Sequence, residues 1–144
     1  MNTLWIIRGH SGSGKSTYAR SLGLEFHFEA DQYFMDDKGT YNYNVEEINE
    51  AHQWCFNNVE AAMKTQQDVV VCNTFIQKRH IRRYFDLALD HGYKVNIRRC
   101  IGDFPNVHGV PEEKVKHQKK IYQPLSSEKT VALNERQQHQ ACRG

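Results

Sequence analysis

Gly9-His10-Ser11-Gly12-Ser13-Gly14-Lys15-Ser16 follows directly on Thr3-Leu4-Trp5-Ile6-Ile7-Arg8, a short apolar and partly β-branched run. That run reads as a buried strand. Lys15 to Leu22 has helical composition, and Gly23 is placed to cap it. The octapeptide fits G-x-x-x-x-G-K-[ST] at every fixed position, between a strand and a helix. A glycine-rich backbone can wrap a phosphate chain with its amides turned inward, and the helix start adds a field that favours anions. In such a loop the Lys15 ammonium bridges the β- and γ-phosphates and the Ser16 hydroxyl meets Mg²⁺. A solvated Gly/Ser turn, the alternative, would need neither flank. We therefore expect Gly9, His10, Ser11, Gly12, Ser13, Gly14, Lys15, Ser16 and Thr17 to bind a nucleotide, with ATP and Mg²⁺ as cofactors.

Leu24 to Ala30 reads as a second strand with Asp31 at its carboxyl end, and Asp36-Asp37-Lys38-Gly39 as a turn. Apolar residues from Val45 to about Gln66 recur at three- and four-residue spacing, which predicts a long amphipathic helix. Val69-Val70-Val71-Cys72 is a compact apolar strand left through Asn73-Thr74. Arg79 to Asp90 is a helix stopped by His91-Gly92, and Tyr93 to Ile101 a further strand. Pro111-Glu112-Glu113 suits the first turn of a helix running to about Tyr122. Strands alternating with helices predict an α/β fold: a mostly parallel sheet of four to five strands with helices on both faces. Ligands of such sheets sit at the carboxyl ends of the strands. Gly9, Asp31, Asn73 and the Gly102 region are thus expected to converge. Residues 1–124 are expected to form the domain, and 125–144, polar and glutamine-rich, a loose tail with at most one short helix.

The chain of 144 residues, 39% apolar, has material for one modest core. Its mean hydropathy is −0.75, and no apolar run is long enough to span a membrane. The N-terminal residues do not resemble a secretory signal, so a cytoplasmic location is expected. Cys55, Cys72, Cys100 and Cys142 show neither zinc-site nor disulfide-framework spacing and are expected to be reduced. The net charge of +2 conceals an asymmetry: residues 1–76 carry five Lys/Arg against ten Asp/Glu, and residues 77–120 carry eleven against five. One face is thus suited to an anionic partner, unless those cations merely solvate two helices.

The loop alone does not separate kinases from nucleotide-driven switches. No Asn-Lys-x-Asp guanine signature is present, and no acid ends the Val69–Cys72 strand, Asp68 being at its wrong end. Both observations favour a kinase. Ala30-Asp31-Gln32-Tyr33-Phe34, Gly39-x-Tyr41, Ala51-His52, Asn73-Thr74 and His108-Gly109-Val110-Pro111 together resemble the P-loop kinases of the polynucleotide-kinase type. That group includes the kinase half of phage polynucleotide kinases and related AAA-type ATP-binding proteins of phages and bacteria. The resemblance covers roughly residues 3–124 and implies the P-loop NTPase fold of the adenylate-kinase-like group. It also implies that Asp31 acts on the acceptor hydroxyl, and it makes Lys15 and Asp31 the catalytic pair. Asn73 and Thr74 would meet the acceptor or a metal-bound water, and Tyr33 an acceptor base.

The chain departs from this pattern at two places. Cys72 stands where many members have an acid, which leaves the metal to Ser16, Asp31, phosphate oxygens and water. Phe104-Pro105-Asn106-Val107 stands where relatives usually carry lid arginines, for which Arg98, Arg99, Lys114, Lys116 or Lys120 are candidate substitutes. The expected function is ATP-dependent transfer of the γ-phosphoryl group to a hydroxyl of a nucleic acid or nucleotide. That hydroxyl is a 5′ end or, as in DNA-modifying phage kinases, a hydroxymethyl group on a base. Arg82, Arg83 and His108 would help bind the acceptor. A non-catalytic ATP-binding module and a small-metabolite kinase are the alternatives.

Overall fold

A computed structural model describes residues 1–105 and 109–132. Five strands form one sheet: β1 (Thr3–Arg8), β2 (Phe26–Phe28), β3 (Val69–Cys72), β4 (Lys94–Cys100) and β5 (Glu128–Val131). They lie in the order β2-β3-β1-β4-β5, and every pair is parallel. The α-helices are α1 (Lys15–Ser21), α2 (Ile48–Met63), α3 (Arg82–Asp90) and α4 (Glu112–Ile121), with 3-10 turns at Ala30–Phe34, Val45–Glu47 and Lys78–His80.

Strand alternation divides the core in two. Leu4, Ile6, Val69 and Val71 face α2 and α3, where Ala51, Cys55, Val59, Tyr84 and Leu87 meet them. Ile7, Val70 and Cys72 point to the other face, against Ala19 of α1 and Val131 of β5. Because β3 is covered on both faces, all four of its residues are buried, which is why its sequence is an uninterrupted apolar run. On α2, the spacing of Ala51, Cys55, Val59 and Ala62 makes one ridge facing the sheet. The Asn44 side chain accepts from the Glu46 backbone N–H at 3.0 Å just before this helix and satisfies a donor at its entry.

The observed elements depart from the expected ones in several places, among them the helix expected over Arg79–Asp90, which begins as a separate 3-10 turn at Lys78–His80 and is α-helical from Arg82. The second strand is only Phe26–Phe28, because Ala30–Phe34 coils into a 3-10 turn that carries Asp31. The expected long helix begins as a separate 3-10 turn at Val45–Glu47 and ends at Met63. A further difference falls inside the stretch expected to be a loose tail: residues 128–131 are β5, in register with Ile97–Cys100 of β4. The cause is a buried ion pair. Arg8, wholly buried at the end of β1, binds Glu128 at 2.8 Å, and the Tyr122 ring lies 4.2 Å below its guanidinium. Cys55, Cys72 and Cys100 are free and buried, as expected; Cys142 lies outside the described residues. Among the described residues no helix is long and apolar enough to cross a membrane.

Candidate active site

The carboxyl ends of β1, β2 and β3 meet at one place. The Gly9 N–H donates to the Thr74 carbonyl at 3.0 Å, and the Asn73 N–H to the Ile7 carbonyl at 3.2 Å. The Asn73 side chain accepts from the Ala30 N–H at 2.8 Å. These three bonds bind the phosphate loop, the end of β3 and the Asp31 turn into one unit. Both ends of the Asn73 amide are engaged, since its Nδ2 also approaches Cys55 Sγ at 3.7 Å. Asn73 therefore fixes the site from behind, while Thr74 anchors the loop through its backbone.

Two loop glycines are demanded by close approach. A Cβ at Gly9 would lie 2.5 Å from the Cys100 carbonyl oxygen, and one at Gly12, where φ is +79°, would lie 2.8 Å from that of Phe104. The segment after β4 runs that close because the Gly102 N–H donates to the Ser13 carbonyl at 3.1 Å and the Phe104 N–H to the Gly12 carbonyl at 2.8 Å. Helix α4 adds a third tie, its Gln118 side chain accepting from the Ser11 N–H at 2.8 Å. His10 bonds the Gly102 carbonyl at 2.8 Å and Asp103 at 3.2 Å, and Lys119 reaches the same Asp103 oxygen at 2.7 Å. Burial, aided by the Lys119 charge and opposed by the Gly102 and Asp103 contacts, holds the His10 imidazole below its ordinary range.

Lys15 arches back over the loop and donates to the His10 carbonyl at 3.0 Å. Ser16, at the start of α1, donates to Glu29 Oε1 at 2.7 Å. The second oxygen of Glu29 is held by His27 Nε2 at 2.6 Å. Burial alone would raise the Glu29 carboxyl, but the His27 and Ser16 bonds and the nearby Lys15 charge outweigh it and keep the group ionised below its usual range. Thr17 is buried on α1 and accepts from Arg20 at 3.3 Å. Ser13 Oγ is buried without a hydrogen-bond partner.

Asp31 accepts from the Tyr41 hydroxyl at 3.1 Å. Burial first, then the Asp31 charge and this bond, push the Tyr41 phenol well up, so it remains a donor. Around this pair the rings form a patch: Tyr33 packs edge-on to Phe34 at 5.3 Å and against Trp54 at 6.1 Å, and Tyr41 stacks on the exposed Tyr43 at 6.2 Å. His52 is half-buried and held low by burial and the Arg83 charge, with Asp31 opposing.

The two arginines expected at the acceptor part company. Arg83 is engaged on α2, donating to the His52 carbonyl at 2.9 Å and Gln53 at 3.2 Å and lying 4.5 Å above the Phe56 ring. Arg82 lines an open groove with Lys78, Arg79, Phe85 and Leu125. His108 lies outside the described residues. Of the substitutes for lid arginines, Arg98 lies over Trp5 and Arg99 over Tyr122, and Lys116 approaches Glu112 at 3.7 Å. Lys119 of α4 instead reaches Asp103, the carboxylate that His10 of the loop also meets. Glu29 carries no motif in the sequence, because its place beside Cys72 follows only from the pairing of β2 with β3.

The oxygens of Ser16 and Glu29 suit Mg²⁺, which binds through few carboxylates and completes its shell with phosphate and water. Their 2.7 Å separation is near the edge of a Mg²⁺ octahedron, about 2.9 Å. Among the described residues no group of three His, Cys, Asp or Glu could hold a metal ion without such help.

A family model described as AAA domain matches residues 4–103. An uncharacterised protein of Pasteurella multocida (strain Pm70) is 34% identical over 132 residues, covering 80% of this chain and 73% of that protein. Human NEDD4-binding protein 2 is 32% identical over 138 residues, but this chain, matched over 86% of its length, spans 8% of that protein. A Janibacter sugar kinase superposes with a TM-score of 0.60 at 16% identity, over 99% of this chain and 91% of the other. The Mycobacterium tuberculosis APS kinase CysC, in complex with AMPPNP and APS, gives 0.58 at 14% identity, over 99% and 94%. The fold is that of the P-loop kinases, and the chain belongs to the AAA domain family.

Proposed function

We propose that the protein is an ATP-dependent kinase that transfers the γ-phosphoryl group to a hydroxyl of a nucleic acid or nucleotide. The observation that carries this reading is the joining of the phosphate loop to the Asp31 turn through Asn73 and Thr74. Phosphoryl transfer needs little more from a protein than two reactants held in line and charge to stabilise the transferring group. The loop amides and Lys15 would cradle the phosphates. Asp31, oriented by Tyr41, would hold the acceptor hydroxyl and take its proton as the new O–P bond forms and the bond to the β–γ bridging oxygen breaks, releasing ADP. Ser16 with a neighbouring carboxylate would hold Mg²⁺, which would supply positive charge at the phosphates. The exposed ring of Tyr43 and its partner Tyr41 give a surface on which an acceptor base would stack. The basic groove of Lys78, Arg79 and Arg82 would meet a phosphate backbone.

Incubation with γ-labelled ATP and separate pools of DNA, RNA, nucleosides and small metabolites tests the proposal. Label should appear in a nucleic acid or nucleotide pool, and added salt should weaken transfer to polymers. Label found only in a small metabolite would replace the acceptor class. Nucleotide binding with transfer to no pool would leave a non-catalytic ATP-binding module.

A further inference from the structure

P-loop proteins hold their metal between the loop hydroxyl and an acid at a strand end, yet the strand beside the loop, β3, ends here in Cys72. That residue cannot serve. Its buried side chain offers a sulfur, and Mg²⁺ takes oxygen ligands. The carboxylate comes instead from the next strand. Parallel pairing sets Phe28 opposite Val71, so Glu29 leaves β2 where Cys72 leaves β3, and its side chain reaches Ser16 Oγ at 2.7 Å. It is largely buried, its side chain 14% exposed, and His27 immobilises its other oxygen.

We infer that Glu29, rather than Asp31, is the protein carboxylate that positions the divalent cation on the bound nucleotide, with His27 as the residue that orients it. The division of labour follows from placement. Glu29 closes β2 against the loop hydroxyl, and Asp31, in the turn beyond it, is oriented by Tyr41 toward the aromatic patch. This inference rests on the kinase reading, because it assumes a metal–nucleotide complex on the loop.

The test measures ADP affinity of the full chain by calorimetry, with Mn²⁺ and with chelator, and bound Mn²⁺ by electron paramagnetic resonance. Wild type should bind ADP at least about tenfold more tightly with Mn²⁺. Glu29→Gln should lose that advantage, at the scale expected when a metal's carboxylate support is removed, about 10–100-fold. Its metal-free ADP affinity should stay near wild type, which also reports that it folds. Asp31→Asn should keep the Mn²⁺ advantage, and adding Cys72→Asp to Glu29→Gln should restore part of it. A Glu29→Gln chain that keeps the advantage while Asp31→Asn loses it overturns the inference. If Glu29→Gln binds no ADP at all, Glu29→Asp decides: a reduced Mn²⁺ advantage supports the assignment and an unchanged one overturns it. A wild type indifferent to Mn²⁺ overturns the inference and the metal-dependent kinase reading together. Full metal coupling with transfer to no acceptor overturns the kinase reading alone.

Discussion

Asp31 and Gly12 show how single residues carry this site. The Asp31 carboxylate accepts from the Tyr41 hydroxyl at 3.1 Å, and in the proposed reaction it takes the proton of the acceptor hydroxyl. Asp31→Asn is close in size, and we expect it to leave ADP affinity within about twofold. Phosphoryl transfer should fall about 10²–10⁴-fold, the usual worth of a positioned base. Unchanged turnover would remove Asp31 from the chemistry. Gly12 is constrained differently, by its left-handed backbone and by the Phe104 carbonyl 2.8 Å from any added Cβ. Gly12→Ala should cost about 1–2 kcal/mol from the backbone conformation alone. It should also push the Phe104 segment off the loop, weakening nucleotide binding by more than the stability loss accounts for. Thermal unfolding and ADP calorimetry on the same protein separate the two effects.

At the scale of elements, what the sequence reveals depends on how local the cause is. The phosphate loop, β1, β3 and α2 are legible because glycine spacing and apolar period are properties of consecutive residues. β5 was not legible. Glu-Lys-Thr-Val has weak periodicity, and the force that makes it a strand comes from Arg8, 120 positions away. Glu29 was hidden for a similar reason, since its meaning depends on the register that sets Phe28 beside Val71. The Arg8–Glu128 pair also makes a measurable claim. Arg8 donates to the Phe75 carbonyl from Nε at 3.0 Å and Nη2 at 2.6 Å, and Glu128 accepts from Tyr122 and the Leu125 N–H. All three guanidinium nitrogens of Arg8 are thus engaged, and removing either partner strands a buried charge. Glu128→Gln should destabilise by about 3–5 kcal/mol in chemical denaturation and speed amide exchange across β5. Arg8→Met with Glu128→Leu should lose clearly less than the two single changes summed. Additive losses would mean that the pair does not hold β5.

For the whole molecule, the imidazoles and the carboxylates held below their ordinary ranges predict the same response to acid. His10 and His80 are held low first by burial, His10 also by Lys119 and His80 by the charges of Arg79, His52 and Arg8. His52 is lowered by burial and Arg83. An unfolded chain protonates these imidazoles near pH 6.5, so below that pH it binds protons the native state refuses, and stability falls as pH drops. The carboxylates act next. Glu29 is lowered by His27, Ser16 and Lys15 against the cost of burial. Asp103 is lowered by its bonds to Lys119 and His10, and Asp36 by backbone N–H groups of its own turn. Their contribution is complete above about pH 4.5 and is lost as pH falls toward their lowered native values. The unfolding midpoint should therefore decline continuously from pH 7 to pH 3.5, first on the histidines and then on the acids. His10→Gln and His52→Gln should flatten the arm between pH 7 and 5 while leaving the acidic arm in place. A midpoint that is level over that upper range in wild type would show that these imidazoles titrate normally in the folded protein.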